Sequence, residues 1–251
     1  PDFLKPLEEN PNIDLAGLEV RKGSKTFRWH GKYHDDVNHR DTISVELNVL
    51  GEEGPTIPES FRDSEYVFLA NTHPGLQSQL LGQLLAPTMV VADTMDLWIE
   101  TERDPLFELL TQIDGVVLND GEAIQLTETP NAIHAGLEIA GYVKRFCVVK
   151  KGEHGGVLFL DGKGYPLPGY PATTVVDPTG AGDSFAGGMM GYLAASEDGG
   201  EDEAVRIKRA IAYGTIVASL ELEDFSLRRL TEISREDIDR RLDEFFELTR
   251  F

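Results

Sequence analysis

VVDPTGAGDSFAGG, spanning Val175–Gly188, packs four glycines and two aspartates into fourteen positions. Gly180 and Gly182 let the backbone turn without a Cβ, and the residues that follow predict a helix from about Ala181. The first N–H groups of a helix have no intrahelical partners. With the positive end of the helix dipole they form a pocket for an anion. Asp183 falls in the first turn of that helix. A carboxylate there can take a proton from a hydroxyl while the amides hold charge developing on a phosphoryl group. An isolated GAGD also reads as a tight turn whose aspartate caps a helix. The flanking DPT and SFAGG favour the anion site. Gly187, Gly188 and Gly191 predict a thin helix face packed against a sheet.

Upstream of this stretch, four short apolar runs occur: YVFLA (Tyr66–Ala70), MVVAD (Met89–Asp93), GVVLN (Gly115–Asn119) and FCVVK (Phe146–Lys150). Helical stretches fill the gaps: GLQSQLLGQLL, DPLFELLTQI and NAIHAGLEIAGYV. Solid apolar strands alternating with amphipathic helices predict a mostly parallel sheet covered on both faces. GGVLFLDGKGYPLP reads as a hairpin turning at Asp161-Gly162. Three helices, Ala181–Ala195, Glu203–Leu220 and Arg235–Leu248, close the chain. Leu18–Val49 instead has a polar, strand-like pattern, with Thr26, Arg28 and His30 alternating with Phe27 and Trp29. That is the period of a sheet covered on one face, and it reads as a flap rather than a core.

In open α/β sheets, ligands bind beyond the carboxyl ends of the strands. Those ends carry Asn71 and His73, Asp93, Asn119 and Glu122, and Lys150 with Lys151. The 251 residues are 41% hydrophobic, enough for a sizeable core. The 44 acidic residues outnumber the 23 Lys and Arg, a net charge of −21 that argues against nucleic acid or anionic lipid as a partner. No apolar run reaches bilayer length, and Pro1–Asn10 lacks a leader pattern and reads as the middle of a helix. Cys147, the one cysteine, fits a buried strand position and a reducing, cytoplasmic setting. His30, His34 and His39 read as solvated or cross-strand residues rather than zinc ligands. Trp29 and Tyr33 suit the flap's own small core or a stack on a sugar ring.

DPTGAGDSFAGG closely resembles the C-terminal signature of the ribokinase (PfkB) family of carbohydrate and nucleoside kinases. LNDGEA resembles the family's Asn-x-x-Glu element through Asn119 and Glu122, although a capped helix start would look the same. VVKKGEHGG, Val148–Gly156, is similar to the strand and turn beside the nucleotide. VVADTMD falls where many members carry Asp-x-Asn, with Met95 standing in place of the Asn. The resemblance implies a ribokinase-like α/β fold with a small β-strand lid. It implies Asp183 as base and Gly180, Ala181 and Gly182 as the anion hole. Asn119 and Glu122 would position Mg²⁺ and ATP phosphates, Glu122 through water. Lys151, Gly152 and Thr179 would lie by the nucleotide, and Asp177 resembles a site where some members bind a monovalent cation such as K⁺. The absence of a GxxxxGK[ST] run argues against a Walker-type NTPase.

One departure stands out. Nothing in Pro1–Asn48 matches the opening strand, substrate aspartate and Gly-Gly-x-x-x-Asn segment of a usual member, so the N-terminal part of the fold is expected to be missing from this sequence. The expected organisation is a core of residues 1–17 and 51–251 with partial lid strands at 18–50. The leading expectation is an ATP-dependent sugar kinase. A nucleoside kinase and a catalytically silent ligand-binding relative remain alternatives. Exposed lid edges leave room for a homodimer.

Overall fold

The alternation read over Thr26–His30 becomes a strand only from Arg28 onward, and a short one. The computed structural model describes residues 4–33, 40–196 and 200–250. His34 and His39, read above as part of the flap, lie outside the described residues. Two compact units are present, Pro1–Ser64 with Thr72–Pro87, and Glu65–Asn71 with Thr88–Phe251.

The smaller unit holds α1 (Lys5–Glu8), an antiparallel pair β1 (Arg28–Tyr33) and β2 (Arg40–Glu46), and α2 (Pro74–Leu81). Exposed and half-buried residues alternate along β1, as the sequence pattern requires. Trp29 folds over Gly31, where a Cβ would meet its ring at 2.0 Å. The indole N–H donates to Thr42 Oγ1 at 3.2 Å, and the ring meets Tyr33 edge-on. These contacts give the pair a small core of its own. The strand reading of Leu18–Phe27 is corrected: the segment turns at Gly23, with φ +97°, and forms no ladder among the described residues. Its polar side chains are held otherwise, Arg21 and Ser24 both donating to Glu52 at 3.1 and 2.6 Å. Past Glu46 the predicted strand also ends, in a 3₁₀ turn at Asn48–Gly51.

The larger unit is a six-stranded sheet in sequential order: β3 (Tyr66–Leu69), β4 (Met89–Asp93), β5 (Gly115–Asn119), β6 (Phe146–Lys150), β7 (Gly156–Leu160) and β8 (Lys163–Leu167). The first four strands are parallel, and β6–β7 and β7–β8 are antiparallel. Asp161 (φ +51°) and Gly162 (φ +69°) form the left-handed turn of the β7–β8 hairpin, as the Asp-Gly pair predicts.

Period two sorts the strand residues onto two faces. Met89, Val91, Val117, Phe146, Val148, Leu158 and Leu160 share a core with α7 (Ala181–Ala195) and α8 (Glu203–Glu221). The intervening residues, such as Val116, Cys147 and Phe159, turn the other way. That side carries α3 (Asp96–Thr101), α4 (Arg103–Leu110), α5 (Asp120–Thr127) and α6 (Ala132–Ala140), of which α5 and α6 pack directly on the sheet. At Gly136 of α6 a Cβ would lie 2.1 Å from the Phe159 ring. Burial pushes the Cys147 thiol up, so it behaves as an inert core residue. Helices α9 (Arg228–Glu232) and α10 (Arg235–Leu248) complete the chain, and Leu242 and Phe245 of α10 pack on Ile216 and Leu220 of α8. Among the described residues no helix is long and apolar enough to cross a membrane.

The glycine face of α7 differs from expectation. Gly187 and Gly191 are exposed with open space around them, and Gly188 faces α8. A Cβ at Gly188 would stand 2.8 Å from Val217 and 3.1 Å from Gly214, and one at Gly214 would stand 2.5 Å from the Phe185 carbonyl. The glycines therefore bring two helices together. The sheet side of α7 is built from Phe185, Met189 and Leu193 at spacing four, each buried side chain contributing roughly 1.5–3 kcal/mol.

Candidate active site at the carboxyl rim of the sheet

The same two-residue phase that fills the core positions the polar rim. Asp93 follows Met89 and Val91, Asn119 follows Val117, and Lys150 follows Phe146 and Val148. All three therefore end their strands on the α7 face, and Asn119 and Lys150 are direct neighbours in the β5–β6 register. The first turn of α7 arrives beside them. Gly180 supplies the N-cap in a left-handed conformation, φ +100°, that residues with a Cβ rarely adopt. Asp183 is the third helical residue, and its side chain is exposed.

Electrostatics ties these groups together. Burial pushes the Asp93 carboxyl up to about 7; the Lys150 ammonium pulls it back, and the charges of Asp183 and Glu122 push it further up. A Cβ at Gly182 would lie 3.0 Å from Lys150 Nζ, so the ammonium rests against the first turn of α7. Of the three proposed anion-hole amides, that of Ala181 donates to the Pro178 carbonyl at a long 3.3 Å. Asn119 and Glu122 form a reciprocal capping box at the start of α5: Glu122 N–H donates to Asn119 Oδ1 at 2.8 Å, and Asn119 N–H donates to Glu122 Oε2 at 2.7 Å. The cap fixes both side chains at the rim.

The remaining predicted residues are spread around the loops. Asp177 Oδ1 accepts the Thr179 N–H at 3.0 Å, closing the turn that leads into Gly180. Lys151 lies one residue past β6, its N–H donating to the Gly155 carbonyl at 2.7 Å, and Gly152 opens the short turn that follows with φ +55°. His73 caps α2, accepting the Gly75 N–H at 2.9 Å. Glu221, at the end of α8, escaped the sequence reading. It is 2% exposed, its Oε2 has no hydrogen-bond partner among the described residues, and its Oε1 would lie 3.3 Å from a Cβ at Gly180. Burial raises this carboxyl to about 7, with Asp177 and Asp183 adding to the rise. No local pattern flags a glutamate at a helix end as the neighbour of a glycine so distant in sequence.

A rim of glycine, carboxylate and ammonium around a helix start fits phosphoryl chemistry on many scaffolds, and comparison with known proteins narrows it. The model for the "pfkB family carbohydrate kinase" matches residues 86–232. The chain belongs to the pfkB family. A cytidine kinase of Thermococcus kodakarensis is 31% identical over 187 residues, covering 72% of this chain and 66% of its own length. The chain thus spans just under two thirds of that relative's length. Among solved structures, the fructokinase of Vibrio cholerae, with fructose, ADP and calcium ion bound, superposes with a TM-score of 0.76 at 18% identity, covering 96% of this chain and 81% of that one. The nucleoside kinase of Burkholderia thailandensis, in complex with inosine, gives 0.73 at 19% identity, covering 98% and 78%. These likenesses bear out the ribokinase-like fold read from the sequence.

The acids at the rim bear on which ions they fit. Among the described residues no three His, Cys, Asp or Glu side chains converge as a closed metal site. Mg²⁺ does not need one, because it keeps several waters and is held by one or two carboxylates plus substrate phosphates. Glu122 beside Asp93 and Asp183 fits that mode. The buried, unpaired Glu221 Oε2 near Asp177 is an acceptor suited to a small cation.

Proposed function

We propose that this protein is an ATP-dependent kinase that phosphorylates a hydroxyl of a nucleoside, with a sugar as the second candidate acceptor. The observation that carries the reading is Asp183, an exposed carboxylate in the first turn of α7, immediately after the left-handed Gly180. Membership of the pfkB family supports phosphotransfer to an alcohol group. The cytidine kinase likeness favours a nucleoside acceptor over the free sugar that the signature alone suggests.

In this mechanism Asp183 takes the proton of the acceptor hydroxyl as its oxygen attacks the γ-phosphorus. The bond from phosphorus to the β,γ-bridging oxygen breaks, and ADP leaves. Such transfers depend on positioning and charge stabilisation rather than on covalent help from the protein. The amides of Gly180, Ala181 and Gly182 face the developing charge, Ala181 by giving up its long bond to Pro178. Mg²⁺, when bound, neutralises phosphate charge. Glu122, through water, and Asn119 would hold it. Asp177, with Glu221, would hold a monovalent cation behind the Gly180 turn. Lys151, Gly152 and Thr179 border the nucleotide. The β1–β2 pair is read as part of a lid, and its edges allow pairing between copies. The inert Cys147 suits a reducing, cytoplasmic setting.

ADP release measured against a panel of nucleosides and sugars tests the reading. Asp183→Asn is expected to lower turnover by at least about 10³-fold while nucleotide still binds. Near-normal turnover in that variant would refute Asp183 as base. ADP release dependent on any acceptor would exclude the silent-binder alternative.

A further inference from the structure

Lys150 stands at the wrong end of a helix. Cations are favoured at helix C-termini and disfavoured at N-termini, where the amides carry positive partial charge. Yet the Lys150 ammonium rests against Gly182, in the first turn of α7, and forms no ion pair within 4 Å among the described residues. Two positive groups facing one space are held together at a cost unless an anion joins them. The acids around that space do not fill this role by contact: Asp93 and Asp183 act on the region from further off. Lys150 is also fixed from below, since it ends a buried strand and is paired in register with Asn119. Lys151, by contrast, belongs to the opposite strand phase and enters the turn.

We propose that Lys150 is a catalytic residue whose ammonium holds the γ-phosphoryl oxygens between β6 and the amides of α7 during transfer. The proposal rests on the phosphotransferase reading above. Lys150 keeps its proton throughout: the hydroxyl proton goes to Asp183, one P–O bond forms as another breaks, and nothing is oxidised or reduced. Its role is to offset the charge that passes from the γ-group to the leaving ADP, and to recognise a triphosphate in preference to a diphosphate.

The test compares wild type with Lys150→Met, Lys150→Gln and Lys150→Arg. It reads kcat with the best acceptor, and the dissociation constants of ADP and of the non-hydrolysable β,γ-imido analogue of ATP. Removing the charge is expected to lower kcat about 100-fold, as loss of one preorganised donor does. It should also weaken the imido analogue at least about tenfold while leaving ADP within about twofold, and Arg should retain the preference for the analogue. A purely structural lysine would not discriminate between the two nucleotides. If Met disturbs folding, the polar Gln variant carries the comparison. The proposal is overturned if folded Met or Gln variants bind both nucleotides as wild type does, or lose both equally. Should wild type turn over no acceptor at all, the kinase reading fails, and the analogue-against-ADP comparison still decides what Lys150 does.

Discussion

The buried carboxylate of Glu221 lies against Gly180, with Oε1 3.3 Å from where a Cβ on that glycine would stand. An acid at the end of α8 thus backs the left-handed turn that starts α7. Any side chain at position 180 would be strained by its φ and would press on Glu221 as well.

Glu221 makes stability depend on pH. Its carboxyl titrates near 7 in the fold, chiefly because of burial, against an ordinary value of 4.5. Between those values the unfolded chain has released the proton while the folded chain keeps it, so stability falls as pH rises through the window and levels off above about 7. Glu221→Gln cannot ionise. Its melting temperature is expected to exceed that of wild type by a few degrees at pH 8, roughly 2–4 °C per kcal/mol for a chain of this size. The gap should shrink steadily toward pH 5.5. A cation seated between Glu221 and Asp177 would give a second signature: added K⁺ should narrow the gap at pH 8 by stabilising wild type alone. A pH-independent difference would remove the titration from the account.

Gly182→Ala separates stability from turnover. The new methyl would meet only the end of the flexible Lys150 side chain, so the ammonium shifts and the helix survives. Alanine is the better helix former by up to about 1 kcal/mol. The variant is expected to melt at or above the wild-type temperature while kcat falls about tenfold, because small misplacements of a positioned group cost rate. Thermal melts and steady-state turnover check the two halves, and unchanged turnover would show that the Lys150–Gly182 contact is idle.

Arg206 is the opposite case, a stability residue remote from the rim. Buried at 7% exposure, its guanidinium donates to the Leu193 carbonyl at 2.8 Å, to Tyr66 Oη at 2.8 Å and to the Ser196 carbonyl at 3.3 Å. It thereby satisfies orphan carbonyls at the C-terminus of α7, where a cation is also favoured by the dipole. Arg206→Met leaves those acceptors buried and is expected to cost about 2–3 kcal/mol. The site lies at the other end of the helix, roughly 20 Å away at 1.5 Å per residue. Chemical denaturation should show the loss, and kcat at low temperature should stay near wild type.

The larger unit was the more legible part of the sequence. MVVAD, GVVLN and FCVVK became strands with the bounds their apolar runs suggested, because strands buried on both faces carry no other pattern. DG at 161–162 announced its turn through its tolerance of positive φ. Short helices α3 and α5 were not separately predicted, since one or two turns carry too little periodicity. The polar segment 18–27 misled for a related reason: alternation alone does not supply a partner strand.

What the sequence determined by itself was local: a glycine where the backbone must turn left, an aspartate in the first turn of the following helix, and apolar runs long enough for strands. What only the tertiary structure decided was which distant groups meet there. Lys150 and Lys151 are equivalent as letters, and the phase of β6 against α7 selects the first. Glu221 became part of the rim, and Gly188 turned to Gly214 rather than to the sheet, through the pairing of α7 with α8. Local chemistry fixes backbone conformation over a few residues, whereas proximity between remote side chains follows from packing whole elements into one core.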